Sequence, residues 1–109
     1  MLHQELRLTG SGGQGLILAG IILAEAALYD GLNVVQSQSY GPEARGGASK
    51  AEVIISNKEI NFPKVDKCDL MLALTQTACD KYIDSIKPNG ILIMDKSIPN
   101  VPVREDITI

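Results

Sequence analysis

Hydrophobic positions in this chain change their spacing several times, and each change marks an element. In residues 4–9, Leu6 and Leu8 alternate with polar neighbours, which is the period of a half-buried strand. From residue 14 to residue 29 almost every position is apolar, and Glu25 is the single charge before Asp30. That length and composition predict a helix, stopped by Gly31, with no polar face of its own. Residues 33–38 and 49–56 read as strands. Residues 69–75 form a continuous apolar run, as in a parallel strand covered on both faces. Residues 76–87 carry Ala78, Tyr82, Ile83 and Ile86 at helical spacing, with Thr75 or Thr77 available as the cap and Pro88-Asn89-Gly90 as the stop. Residues 91–95 read as a further buried strand, and the chain reaches Ile109 in what looks like the start of another.

The expected architecture is therefore α/β: a Rossmann-like, three-layer open sheet, mostly parallel. The strand over 49–56 follows its predecessor without a crossover helix, so it is expected as an antiparallel excursion. The first helix, apolar all round, needs cover on a second side. That need points to a partner subunit or to a further segment of the same protein.

Between the first strand and the first helix stands Gly10-Ser11-Gly12-Gly13-Gln14-Gly15. Gly10 is expected to supply the backbone reversal, Gly12 the bare main chain that a phosphate can approach, and Gly15 the close packing of helix on strand. The first-turn amides would carry a partial charge of roughly +0.5 toward a bound anion. A nicotinamide site wants an acid near the end of the second strand. Gln36, Ser37, Gln38 and Ser39 stand there instead, which counts against NAD and NADP.

A second loop, Ser39-Tyr40-Gly41-Pro42-Glu43-Ala44-Arg45-Gly46-Gly47, leaves the same sheet edge. Its turn signals bracket a ring, a carboxylate and a guanidinium. Arg45 is the natural planar clamp for phosphate or carboxylate, with Glu43 holding it. The candidate cofactor-binding set is thus Gly10, Ser11, Gly12, Gly13, Gln14, Gly15, Tyr40, Glu43, Arg45 and Gly46.

Composition narrows the function. The 109 residues make one domain; 45% are hydrophobic, 21% charged and only 4% aromatic, so the core must be aliphatic. A net charge of −3 argues against nucleic acid, since no basic field exists to neutralise phosphates. Cys68 and Cys79 have no metal or disulfide spacing and read as small buried hydrophobes in a reducing compartment. His3 is assigned no role. The run Leu16–Ala24 is far short of the ~20 residues of a membrane span. No signal peptide is evident, and a cytoplasmic protein is expected. No Ser-His-Asp, Cys-His or paired-carboxylate set is present, so no catalytic residue and no metal ligand is assigned.

The two loops together, with the Leu23-Ala24-Glu25-Ala26 helix, Asp69-Leu70-Met71-Leu72-Ala73-Leu74 and the Gly90–Asp95 strand, resemble the gamma subunit of 2-oxoacid:ferredoxin oxidoreductases. The similarity is to the 2-oxoglutarate or branched-chain 2-oxoacid type. Tyr40 and Pro42 separate it from the indolepyruvate type, whose second loop begins His-Gly. The resemblance implies a single domain over 1–109, cut short at its C-terminus, in a complex that oxidatively decarboxylates a 2-oxoacid to an acyl-CoA and passes electrons to ferredoxin. It implies that this chain helps to bind coenzyme A through Ser11–Gly15 and Arg45. Thiamine diphosphate, Mg²⁺ and [4Fe-4S] clusters would belong to alpha, beta and delta partner subunits, fused or separate, with a homodimer as the form of the isolated chain. Two other readings stay open: a purely structural subunit, and a fragment of an NAD(P)-binding dehydrogenase.

Overall fold

A computed structural model of the chain describes residues 3–10, 15–39, 49–61 and 64–109. The elements run β1 (His3–Gly10), α1 (Leu16–Tyr29), β2 (Asn33–Ser39), β3 (Ser49–Ser56), β4 (Cys68–Ala73), α2 (Gln76–Tyr82), a single 3₁₀ turn (Ile83–Ser85) and β5 (Ile86–Met94). The five strands form one sheet in the order β2-β3-β1-β4-β5. β1 pairs in parallel with β4, and β4 with β5. β3 is antiparallel to both of its neighbours.

The expected excursion at the third strand is thus real, but it is inserted rather than appended. β3 lies between β1 and β2, so those two strands run the same way without touching. Their carboxyl ends stand two strand spacings apart, about 10 Å, instead of one. The adjacent pair expected of a dinucleotide-binding half is therefore not formed.

The two helices cover opposite faces. α1 lies over β3 and β2, where Leu8, Leu16 and Ala51 form a small core with Ala19, Leu23 and Leu72 against it. The other face, toward α2, holds the larger core of Ile54, Val65, Cys68, Met71, Ala73, Cys79, Ile86, Leu92 and Ile98. α1 meets the sheet through small residues, with Gly20, Ala24 and Ala27 buried at positions that share one helix face. A β-carbon at Gly20 would lie only 3.6 Å from that of Ala51 and 3.7 Å from Val53 Cγ2. Gly20, and not Gly15, is where helix and sheet come close. Leu18, Ile22, Leu28 and Tyr29 point away and are exposed, as are Ile91 and Ile93 of β5.

Local chemistry ends the elements much as expected. Gly31, at φ 79, closes α1: Leu32 N–H donates to Ala27 O at 3.0 Å and Gly31 N–H to Leu28 O at 2.9 Å. Thr75 caps α2, its Oγ1 accepting from Ala78 N–H at 3.2 Å.

The helix expected over 76–87 is shorter than its periodicity suggests. It stops at Tyr82, and Ile86 already pairs with Cys68 in the sheet. Burying Ile86 opposite Cys68 outweighs one more turn of helix, since both side chains are almost wholly enclosed there. Pro88-Asn89-Gly90 therefore lies within β5, in an excursion between the pairs Cys68↔Ile86 and Leu70↔Ile91. Asn89 adopts φ 68 at its tip. The last residues run beside β5: Leu92 N–H donates to Thr108 O at 2.8 Å and Thr108 N–H to Gly90 O at 2.9 Å. Arg104 fastens this segment by donating to Ile83 O, Ile86 O and Asp106.

Candidate functional site

The carboxyl ends of β1 and β2 and the start of β3 meet at one sheet edge. Gly10 ends β1 opposite Ser49, and Lys50 stands between Thr9 on one side and Ser39 on the other. Both loops singled out in the sequence leave from this edge. Of the candidate set, Ser11, Gly12, Gly13, Gln14, Tyr40, Glu43, Arg45 and Gly46 lie outside the described residues.

The two remaining members, Gly10 and Gly15, have different roles from those expected. Gly10 is a buried strand residue within the β1–β3 ladder. Among the described glycines the positive φ values belong to Gly15 and Gly31, so the reversal is not made at Gly10. Gly15 is exposed, with φ 79 and ψ 17, and no described residue stands within 4 Å of a β-carbon built on it. It sets the entry angle of α1 and packs against none of the described residues. Gly15→Ala is therefore expected to lower stability by about 1 kcal/mol, from left-handed backbone strain alone. A urea titration checks this, and a loss above about 3 kcal/mol would mean that the residue packs against something.

This helix start suits an anion. Among the described residues no side chain caps α1, and its first turn holds no acidic residue to oppose the positive end of its dipole. At the end of β2, the described Gln36, Ser37 and Gln38 are exposed and uncharged.

One charged arrangement beneath the edge was not foreseen. Arg7 of β1 and Glu52 of β3 are register partners, and both are buried. Arg7 Nε donates to Glu52 Oε2 at 2.7 Å and Nη2 to Val65 O at 2.7 Å. Lys50 Nζ stands 3.5 Å from the same carboxylate oxygen. The Tyr82 ring caps the group, 5.6 Å from the Arg7 guanidinium and 5.8 Å from Lys50 Nζ. In the sequence Arg7 and Glu52 fall on polar positions between apolar ones, and neither is assigned a role there. The only available signal was their opposite sign, and their pairing depends on β3 lying beside β1.

A second ionic group sits at the amino end of β1, away from the loops. Lys87 Nζ reaches Glu5 Oε2 at 3.0 Å and Asp69 Oδ1 at 3.4 Å, and Asp69 Oδ2 accepts from Glu5 N–H at 2.8 Å. Burial works against the charge on Lys87, but the hydrogen bond to Glu5 and the charge of Asp69 outweigh it, and its pKa is raised. This group fastens the β5 excursion to the sheet. Cys68 and Cys79 are fully buried, and burial pushes both thiols up, away from the reactive thiolate. Among the described residues, no group of three His, Cys, Asp or Glu could hold a metal ion.

Known proteins are similar to this chain in sequence and fold. A family model described as pyruvate ferredoxin/flavodoxin oxidoreductase matches residues 5–109. The KorC subunit of 2-oxoglutarate synthase from Methanocaldococcus jannaschii is 51% identical over 109 residues, covering 99% of this chain and 58% of its own length. The crystal structure of a keto/oxoacid ferredoxin oxidoreductase gamma subunit from Geobacter sulfurreducens superposes with a TM-score of 0.83 at 53% identity, over 94% of this chain and 57% of the other. The 2-oxoglutarate:ferredoxin oxidoreductase of Magnetococcus marinus, with 2-oxoglutarate, coenzyme A and succinyl-CoA bound, superposes with a TM-score of 0.85 at 25% identity. The match covers 98% of this chain and 19% of that one. The chain thus spans a little over half the length of the KorC relative.

Proposed function

Because the chain belongs to the pyruvate ferredoxin/flavodoxin oxidoreductase family, we propose that it serves as a gamma-type subunit of a 2-oxoacid:ferredoxin oxidoreductase and helps to hold coenzyme A. The observation that carries this reading is the sheet edge. A helix start that no described side chain caps, with no acid in its first turn, follows β1, and Gly10, Ser39 and Ser49, the ends from which the two loops leave, lie together on three neighbouring strands. The phosphates of coenzyme A are the kind of ligand such an edge receives. Backbone amides of residues 11–15 and the Arg45 guanidinium are its proposed contacts, with Glu43 orienting Arg45, and Tyr40 and Gly46 completing the loop.

The reaction assigned to the complex is oxidative decarboxylation of a 2-oxoacid to an acyl-CoA, with ferredoxin accepting the electrons. This chain's share is to bind and orient one substrate. Thiamine diphosphate, Mg²⁺ and iron–sulfur clusters are assigned to partner subunits. The exposed Leu18, Ile22 and Leu28 of α1, with Ile91 and Ile93 of β5, are the surface proposed to meet those partners. It supports this reading that the matched stretch makes up 19% of the Magnetococcus chain, one part of a much longer polypeptide. No helix among the described residues is long and apolar enough to cross a membrane. The complex is proposed to work in the cytoplasm.

Calorimetric titration of the assembled complex with coenzyme A tests the reading. Arg45→Ala is expected to weaken binding by about 1.5–3 kcal/mol, as for a lost charged hydrogen bond. Unchanged affinity would remove Arg45 from the site. A chain that purifies from its source cell with neither a thiamine-dependent nor an iron–sulfur partner would end the assignment altogether.

A further inference from the structure

The cation beneath the sheet edge has a use that the fold does not require. Glu52 already has Arg7, whose Nε lies 2.7 Å from its carboxylate and whose Nη2 is fixed on Val65 O. Lys50 is a second, looser cation at 3.5 Å from the same oxygen. Its side chain is 28% exposed, against 5% for Arg7. One carboxylate serving two cations leaves a net positive charge, and Lys50 is the half that can move. Arg7 is enclosed and held at two points, so it cannot leave.

Lys50 also stands near the edge, its side chain on the α2 face with Glu52 and Tyr82 and across the sheet from α1, so the ligand it would meet is one that straddles the edge. The Lys50 backbone pairs with Thr9 and Ser39, one register step from the Gly10–Ser49 pair that ends the ladder. One step along a strand is about 3.4 Å, which a flexible four-carbon stem spans. Swinging the ammonium from Glu52 to the edge leaves Glu52 neutralised by Arg7, so no buried charge is stranded. We propose that Lys50 is a further binding residue for the anionic ligand of this edge, a mobile point charge that exchanges Glu52 for a ligand phosphate. The inference rests on the coenzyme A reading above and names a contact outside the two loops.

The test is calorimetric titration of coenzyme A into the assembled complex carrying Lys50→Met or Lys50→Arg, with thermal melting of each. Lys50→Met is expected to raise Kd about tenfold, the lower end for a charged hydrogen bond. Lys50→Arg should restore most of the affinity, and neither variant should change the melting temperature, since Arg7 keeps Glu52 paired. Wild-type affinity in Lys50→Met, alongside a loss in Arg45→Ala, overturns this inference and leaves the broader reading standing. A melting temperature that falls together with affinity in Lys50→Met also overturns it, by making Lys50 a structural residue. A wild-type complex that does not bind coenzyme A overturns both.

Discussion

Glu52→Leu is expected to destabilise the fold by about 3–5 kcal/mol, the usual cost of leaving one member of a buried ion pair without its partner. The stranded group is Arg7, only 4% exposed and held between β1, β3 and the Val65 carbonyl. It keeps one carbonyl and the face of Tyr82, and neither replaces a carboxylate at 2.7 Å. Lys50 then adds repulsion where Glu52 had balanced two cations. The double variant Arg7→Met with Glu52→Leu should recover most of the loss, since an apolar pair of similar size removes both desolvation costs. Urea unfolding of wild type, single and double variants makes the comparison at constant m-value. A single-variant loss below about 1 kcal/mol would show the pair to be solvated, as surface pairs are.

Gly90→Ala comes next, with an expected loss of about 2–3 kcal/mol, at the upper end of what overpacking by one carbon costs. A β-carbon there would sit 2.6 Å from Ile86 Cγ2, 2.8 Å from the Lys87 carbonyl oxygen and 3.0 Å from that of Asp69. Ile86 could turn, although it is itself buried. The two carbonyls belong to the excursion and to β4, and relieving them means moving the bend that Asn89 makes at φ 68. The same movement would disturb Gly90 O, which accepts from Thr108 N–H and so holds the final segment. Gly15→Ala, with no described residue within 4 Å of the added carbon, should cost clearly less. Chemical unfolding of the two variants side by side decides the matter. Equal losses would mean that the excursion yields to the extra carbon.

Much of the outline was legible in the residue order because short-range forces write it. Gly31 stops α1 and Thr75 caps α2 through hydrogen bonds to residues within a turn of themselves. The strands over 33–39 and 49–56 follow from local alternation and bounding turns. The lack of a polar face on α1 correctly announced an apolar surface left open after folding. The two-loop signature led to the family before any coordinate did, although most of its members lie outside the described residues.

Contacts across long stretches of chain decided the rest. Residue order showed that β3 was an excursion; only the sheet showed it inserted between β1 and β2, which parts the two strands that a dinucleotide site would join. The same insertion sets Arg7 against Glu52, 45 positions apart, and turns two polar-looking side chains into a buried pair with Lys50 at its margin. It exchanged the expected duties of the glycines as well: Gly10 became ladder, Gly15 a hinge angle, and Gly20 the point of close approach. A residue's neighbours in sequence fix its backbone preference and its hydrogen-bonding habits. Which face it shows, and what stands opposite, depends on strand order, and strand order is chosen by the burial of the whole sheet at once.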